Sequence, residues 1–127
     1  MTVEQALILC ADDDEDILAL VSLRLRRAGY EVMQAYDGHQ ALELARTRRP
    51  DVAVLDVMMP RLTGHEVLAE LRGDDELREL KVVLLSARVQ QADVERGMES
   101  GADAYLPKPF RADELLEQVE LLLRADG

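Results

Sequence analysis

Strand-length apolar runs alternate with amphipathic segments along the whole chain, and this alternation constrains the fold more than any other feature. The runs cover 7–11, 31–35, 52–55, 82–85 and 104–106. The segments 16–28, 38–48, 64–72, 92–100 and 112–124 carry apolar residues at spacings of three and four, the signature of a helix with one buried face. In the last of them Leu115, Leu116, Val119, Leu122 and Leu123 form one stripe, with Glu114 and Glu117 outside it. Asp37 is placed to cap the second helix, and Gly29, Gly73 and Gly101 follow helix ends. Strands alternating with helices predict an α/β fold, an open parallel sheet covered on both faces. The first, third and fourth runs lack polar alternation, as strands buried on both faces do.

With 127 residues, the chain is expected to form one domain over 1–127 with its core in about 6–124. Hydrophobic content of 48% and charged content of 32% place it among globular rather than disordered chains. No apolar run approaches the ~20 residues of a membrane span. The start, Met1-Thr2-Val3-Glu4-Gln5, lacks the basic region and apolar core of a secretory signal. The single cysteine, Cys10, excludes an internal disulfide and reads as a small buried apolar residue. These features point to the cytoplasm. The net charge of −11 argues against direct nucleic-acid binding, which needs clustered Lys and Arg, and is compatible with a divalent cation or a basic protein partner.

In open α/β sheets ligands sit beyond the C-terminal ends of the strands. The first run leads straight into five consecutive acids, Asp12, Asp13, Asp14, Glu15 and Asp16. Neighbouring carboxylates ~6 Å apart repel by roughly 1–3 kcal/mol per pair near a protein surface, so such a run needs a compensating reason. Asp14, Glu15 and Asp16 have a plain one: at a helix start negative charge favours the helix dipole. Asp12 and Asp13 fall at the strand end together with Asp56, Ser86 and Lys108, which follow the third, fourth and fifth runs. Carboxylate oxygens without His or Cys suit a hard cation such as Mg²⁺ or Mn²⁺. His39 and His65 lie in helical segments without a metal partner at usable spacing and read as surface residues.

At these positions the sequence resembles the receiver (phosphoacceptor) domain of two-component response regulators, in particular the chemotaxis-regulator type, over about 6–124. The resemblance rests on Ile8-Leu9-Cys10-Ala11-Asp12-Asp13-Asp14, on Pro50-Asp51-Val52-Ala53-Val54-Leu55-Asp56-Val57-Met58-Met59-Pro60 with Gly64, on Val83-Leu84-Leu85-Ser86-Ala87, and on the run Gly101 to Phe110, including Tyr105-Leu106-Pro107-Lys108-Pro109. It implies a flavodoxin-like, doubly wound five-stranded sheet of order 2-1-3-4-5 with five helices. It implies that Asp56 accepts the phosphoryl group. Asp13, Asp56 and the backbone carbonyl of Met58 would bind Mg²⁺ directly, with Asp12 acting through water. Lys108, Ser86 and the Ala87 backbone would contact phosphoryl oxygens, and Tyr105 would move inward with Ser86. A cis Lys108–Pro109 bond would help aim the lysine. Met58 and Arg88 would flank the path of a hydrolytic water and set the lifetime of the phosphorylated state.

The implied function is a phosphorylation-dependent switch. It takes its phosphoryl group from a sensor histidine kinase or a histidine phosphotransfer protein and catalyses only its own phosphorylation and slow autodephosphorylation. An output partner would read the face made by the fourth helix, fifth strand and last helix. Two other functions share the chemistry. A phosphohydrolase with an aspartyl-phosphate intermediate resembles a strand ending in Asp-x-Asp, but the triplet here is Asp56-Val57-Met58. A pseudo-receiver that is never phosphorylated typically lacks one of the acids or the lysine, and none is missing. In one DNA-binding subclass, basic residues on the last helix pair two receivers. Gln118 and Glu120 stand where that subclass places Arg, so a monomer or weak dimer is expected, with Leu121 exposed as a candidate docking contact.

Overall fold

The computed structural model describes residues 5–87, 95, 98, 99 and 101–125. Within them the elements run β1 (Leu7–Ala11), α1 (Glu15–Arg27), β2 (Glu31–Ala35), α2 (Gly38–Arg48), β3 (Val52–Asp56), α3 (Gly64–Arg72), β4 (Lys81–Ser86), β5 (Ala104–Pro107) and α4 (Ala112–Ala125). The helix expected over 92–100 lies outside the described residues, except that Glu95, Met98 and Glu99 are helical. The strands form one parallel sheet in the expected order β2-β1-β3-β4-β5.

Strand parity splits the core in two. Leu9, Ala11, Ala53, Leu55, Val82 and Leu84 face one side, where α2 and α3 cover them with Ala41, Leu42, Ala45, Val67, Leu68 and Leu71. Ile8, Cys10, Val52, Val54, Val83 and Leu85 face the other, under Leu18, Val21 and Leu25 of α1 and Leu115, Leu116 and Val119 of α4. Each fully buried Leu, Ile or Val contributes about 1.5–3 kcal/mol, so the two-sided packing accounts for the unbroken apolar runs of the central strands.

The strands reach further than their apolar runs. Asp56 pairs with Leu85 and Ser86 with Pro107 inside the sheet register. Polar residues at these strand ends are thus fixed by backbone hydrogen bonding, which apolar patterning does not reveal. Helix α1 starts at Glu15 because the Asp14 side chain accepts from the amides of Asp16 and Ile17. Thr63 and Glu66 form a reciprocal capping box at the start of α3. Gly29 and Gly101 have φ of 102° and 105°, the left-handed conformation glycine tolerates, whereas α2 ends on Arg49 at φ 47°. Arg72, at the end of α3, donates to the carbonyls of Arg78, Leu80 and Gly101 and pairs with Asp103. The same Asp103 oxygen accepts from the Val82 amide, so one guanidinium ties α3 to the entries of β4 and β5.

Candidate functional site

The C-terminal ends of β1, β3, β4 and β5 bring the expected residues to one sheet edge. Asp12 follows β1 and is buried, with its amide donating to the Ala35 carbonyl and its Oδ1 accepting from the Asp14 amide. These bonds leave Oδ2 facing inward, 2.9 Å from Lys108 Nζ. Asp56 closes β3, is 3% exposed, and accepts from the Met58 amide at 3.3 Å. Lys108 Nζ lies 3.4 Å from its other oxygen. Asp13 stands beside them, exposed, and ligand oxygens of Asp12, Asp13 and Asp56 come within 4.8 Å of one another.

The charge balance of this edge is unequal. One ammonium faces two buried carboxylates with a third at the rim. Burial, then the charge of Asp12, pushes the Asp56 carboxyl up to about 6, although Lys108 opposes the shift. Burial alone would lower the pKa of Lys108; its hydrogen bond to Asp12 and the charges of Asp56 and Asp12 hold it above its ordinary value. The cluster therefore has room for more positive charge, and its donor set is oxygen only. Those residues fit a divalent hard cation.

Ser86 is buried at the end of β4, and its carbonyl accepts from the Lys108 amide at 2.7 Å. Ala87 follows it, exposed at the same edge. The Lys108–Pro109 bond is cis, as expected. Tyr105 is half-buried against the α2–α3 side of the core. Met58 is 58% exposed while its neighbour Met59 is buried. Arg88 lies outside the described residues. Cys10 is buried, and burial pushes its thiol up to about 12, as befits an inert core residue.

Two features escaped the sequence reading. His65 is not a simple surface residue: its Nδ1 is buried and has no hydrogen-bond partner among the described residues. Gln34 of β2 donates to the buried Ser22 of α1 at 2.9 Å, a polar pair inside an otherwise apolar contact. Pairings of this kind join residues on different elements and leave no local pattern.

The model of the response regulator receiver domain matches residues 8–120. The chain belongs to that family. A receiver domain is a phosphorylation-dependent signalling module of two-component systems rather than an enzyme acting on external substrates. Among solved structures, the receiver domain of the Francisella response regulator 1452 superposes with a TM-score of 0.91 at 36% identity, covering 97% of this chain and 100% of that one. The chemotaxis response regulator CheY4 of Vibrio cholerae gives 0.89 at 34% identity, covering 94% and 99%. The DNA-binding dual master transcriptional regulator RpaA of Synechocystis sp. is 44% identical over 117 residues, 92% of this chain and 48% of that protein. The chain thus spans about half the length of such regulators. No helix among the described residues is long and apolar enough to cross a membrane.

Proposed function

We propose that Asp56 is the phosphoacceptor of this receiver domain, charged by a histidine kinase or histidine phosphotransfer protein and read by an output partner. The observation that carries this reading is the joining of Asp12, Asp13 and Asp56 into one oxygen cluster with Lys108 Nζ between Asp12 and Asp56. Asp12, Asp13, Asp56 and the Met58 backbone carbonyl would hold Mg²⁺ or Mn²⁺, which supplies charge neutralisation for the incoming phosphoryl group.

In the transfer itself a carboxylate oxygen of Asp56 forms a bond to phosphorus, and the bond from phosphorus to the donor nitrogen breaks, leaving the electron pair on that nitrogen. The Met58 amide orients the Asp56 carboxylate for this attack. Lys108 releases part of its contact with Asp56 and pairs with a phosphoryl oxygen instead, still anchored by Asp12. Ser86 and the Ala87 backbone stand at the adjoining strand end to contact another, and movement of Ser86 toward the phosphoryl group makes room for Tyr105 to turn inward. The change reaches the surface formed by β5 and α4. Domain boundaries of 1–127, a cytoplasmic setting and the absence of direct nucleic-acid contact belong to the same reading.

Exposure of acetyl phosphate and Mg²⁺ to the protein, read by intact mass and phosphate release, tests it. One phosphoryl group per chain supports the switch. Sustained release of free phosphate would favour a hydrolase, and an unchanged mass would favour a pseudo-receiver.

A further inference from the structure

We propose that Gly38, the first residue of α2, is a positioning residue for the β3–α3 loop and hence for cation binding at the Asp12, Asp13 and Asp56 cluster. The proposal rests on the cation-binding reading above. Residues 57–63 of this loop connect Asp56 to α3, and the Met58 amide within it holds the Asp56 carboxylate. The loop is gripped from two sides. At its far end the Gly64 amide donates to the Val57 carbonyl, and a Cβ on Gly64 would come within 2.6 Å of the Asp56 carbonyl oxygen. At its crest the Gly38 amide donates to the Pro60 carbonyl at 3.3 Å, while the Leu62 amide donates to the same oxygen at 2.8 Å.

Gly38 approaches so closely that a Cβ would overlap the Leu62 carbonyl oxygen and lie 2.6 Å from both the Leu62 carbonyl carbon and Cβ. The nearest atoms are backbone, so no rotamer change relieves the clash. Backbone conformation does not account for the glycine, because its φ lies outside the left-handed region. As a helix former it is poorer than alanine by about 1 kcal/mol, and the close approach to the loop is what alanine cannot reproduce. A methyl group there has one way to fit: α2 and the loop must separate. The loop's other end is fixed to the sheet, where the Val57 amide donates to the Leu85 carbonyl at 2.8 Å. Separation therefore bends the segment between Val57 and Leu62, which contains Met58.

The test is calorimetric titration of Mg²⁺ into the unphosphorylated protein, with affinity corrected to the folded fraction. Gly38→Ala is expected to weaken Mg²⁺ binding at least about tenfold, the usual scale for disturbing groups that orient metal ligands, and to shift the Met58 amide resonance before metal is added. Gly29→Ala, which strains a left-handed residue at the far end of α1, should lower stability yet bind Mg²⁺ as wild type does. Asp13→Asn should bind poorly. Wild-type affinity in Gly38→Ala, with Asp13→Asn impaired, would overturn the positioning role and leave the cation site standing. Binding that is absent in wild type, or unaffected by Asp13→Asn, would defeat the site and the proposal together. Should Gly38→Ala not fold, Leu62→Gly decides: it removes the Leu62 Cβ that Gly38 packs against and frees the backbone carrying the contacting carbonyl, so it should weaken binding severalfold, whereas unchanged affinity would overturn the proposal.

Discussion

In the metal-free protein near neutral pH, Asp56→Asn should stabilise the fold. The Asp56 side chain is 5% exposed, and its carboxyl is raised from 3.8 to about 6, first by burial and then by Asp12. A shift of roughly two units corresponds to about 3 kcal/mol as an upper bound. Because Lys108 and Asp12 share the charge of the site, about 1–2 kcal/mol is the expected gain. For a domain of this size that raises Tm by about 3–8 °C. The substitution keeps the shape, the amide oxygen can still accept from Met58, and Lys108 retains Asp12 at 2.9 Å. The pH dependence runs opposite to that of an ordinary salt-bridged aspartate. Between about 4 and 6 the folded protein holds a proton that the unfolded chain has released, so wild-type stability from this group falls as pH rises through that window. The advantage of Asp56→Asn should accordingly vanish near pH ~4. With Mg²⁺ present the wild type should recover more stability than the mutant. Thermal unfolding followed by circular dichroism, with and without EDTA, measures all of this. A mutant no more stable than wild type in EDTA, or an advantage that grows toward acid pH, would refute the burial argument.

Other expectations follow from particular residues. The phosphorylated state should last minutes rather than seconds, because the Met58 side chain offers an attacking water no strong hydrogen bond; decay within seconds, unchanged by Met58→Asn, would count against this. Arg72→Ala should cost about 2–4 kcal/mol in denaturant unfolding, since it removes the bonds to three carbonyls and leaves Asp103 with the Val82 amide but no cation, and Arg72→Lys should recover only part of that. Activation by beryllofluoride should not produce a charge-paired dimer, because α4 presents Glu117 and Glu120 with Leu121 exposed. Sedimentation showing a tight dimer that charge reversal at Glu117 abolishes would overturn that expectation.

The fold was legible because burial on both sheet faces leaves a strong signal. The runs at 7–11 and 31–35 coincide with β1 and β2, and 38–48 and 64–72 with α2 and α3. Boundaries slipped at the C-terminal strand ends: Asp56, Ser86 and Pro107 belong to strands although none extends an apolar run. The oxygen cluster was legible because sheet topology brings strand ends together whatever separates them in sequence. Its energetics were not, since the raised Asp56 carboxyl depends on burial and on the 3.4 Å approach of Lys108. The grip of Gly38 on Leu62, the Arg72 tie and the buried Nδ1 of His65 depend on close approaches between separate elements, which no window of sequence encodes.

The acceptor can be identified chemically. An aspartyl phosphate is reduced by borohydride to homoserine, whereas free carboxylates are untouched. Wild-type protein treated with acetyl phosphate and Mg²⁺, reduced and digested, should carry one homoserine, at position 56 in the peptide containing Val57 and Met58, and Asp56→Asn should carry none. Homoserine at position 12 or 13, or its formation in Asp56→Asn to the same extent as in wild type, would contradict the assignment of Asp56.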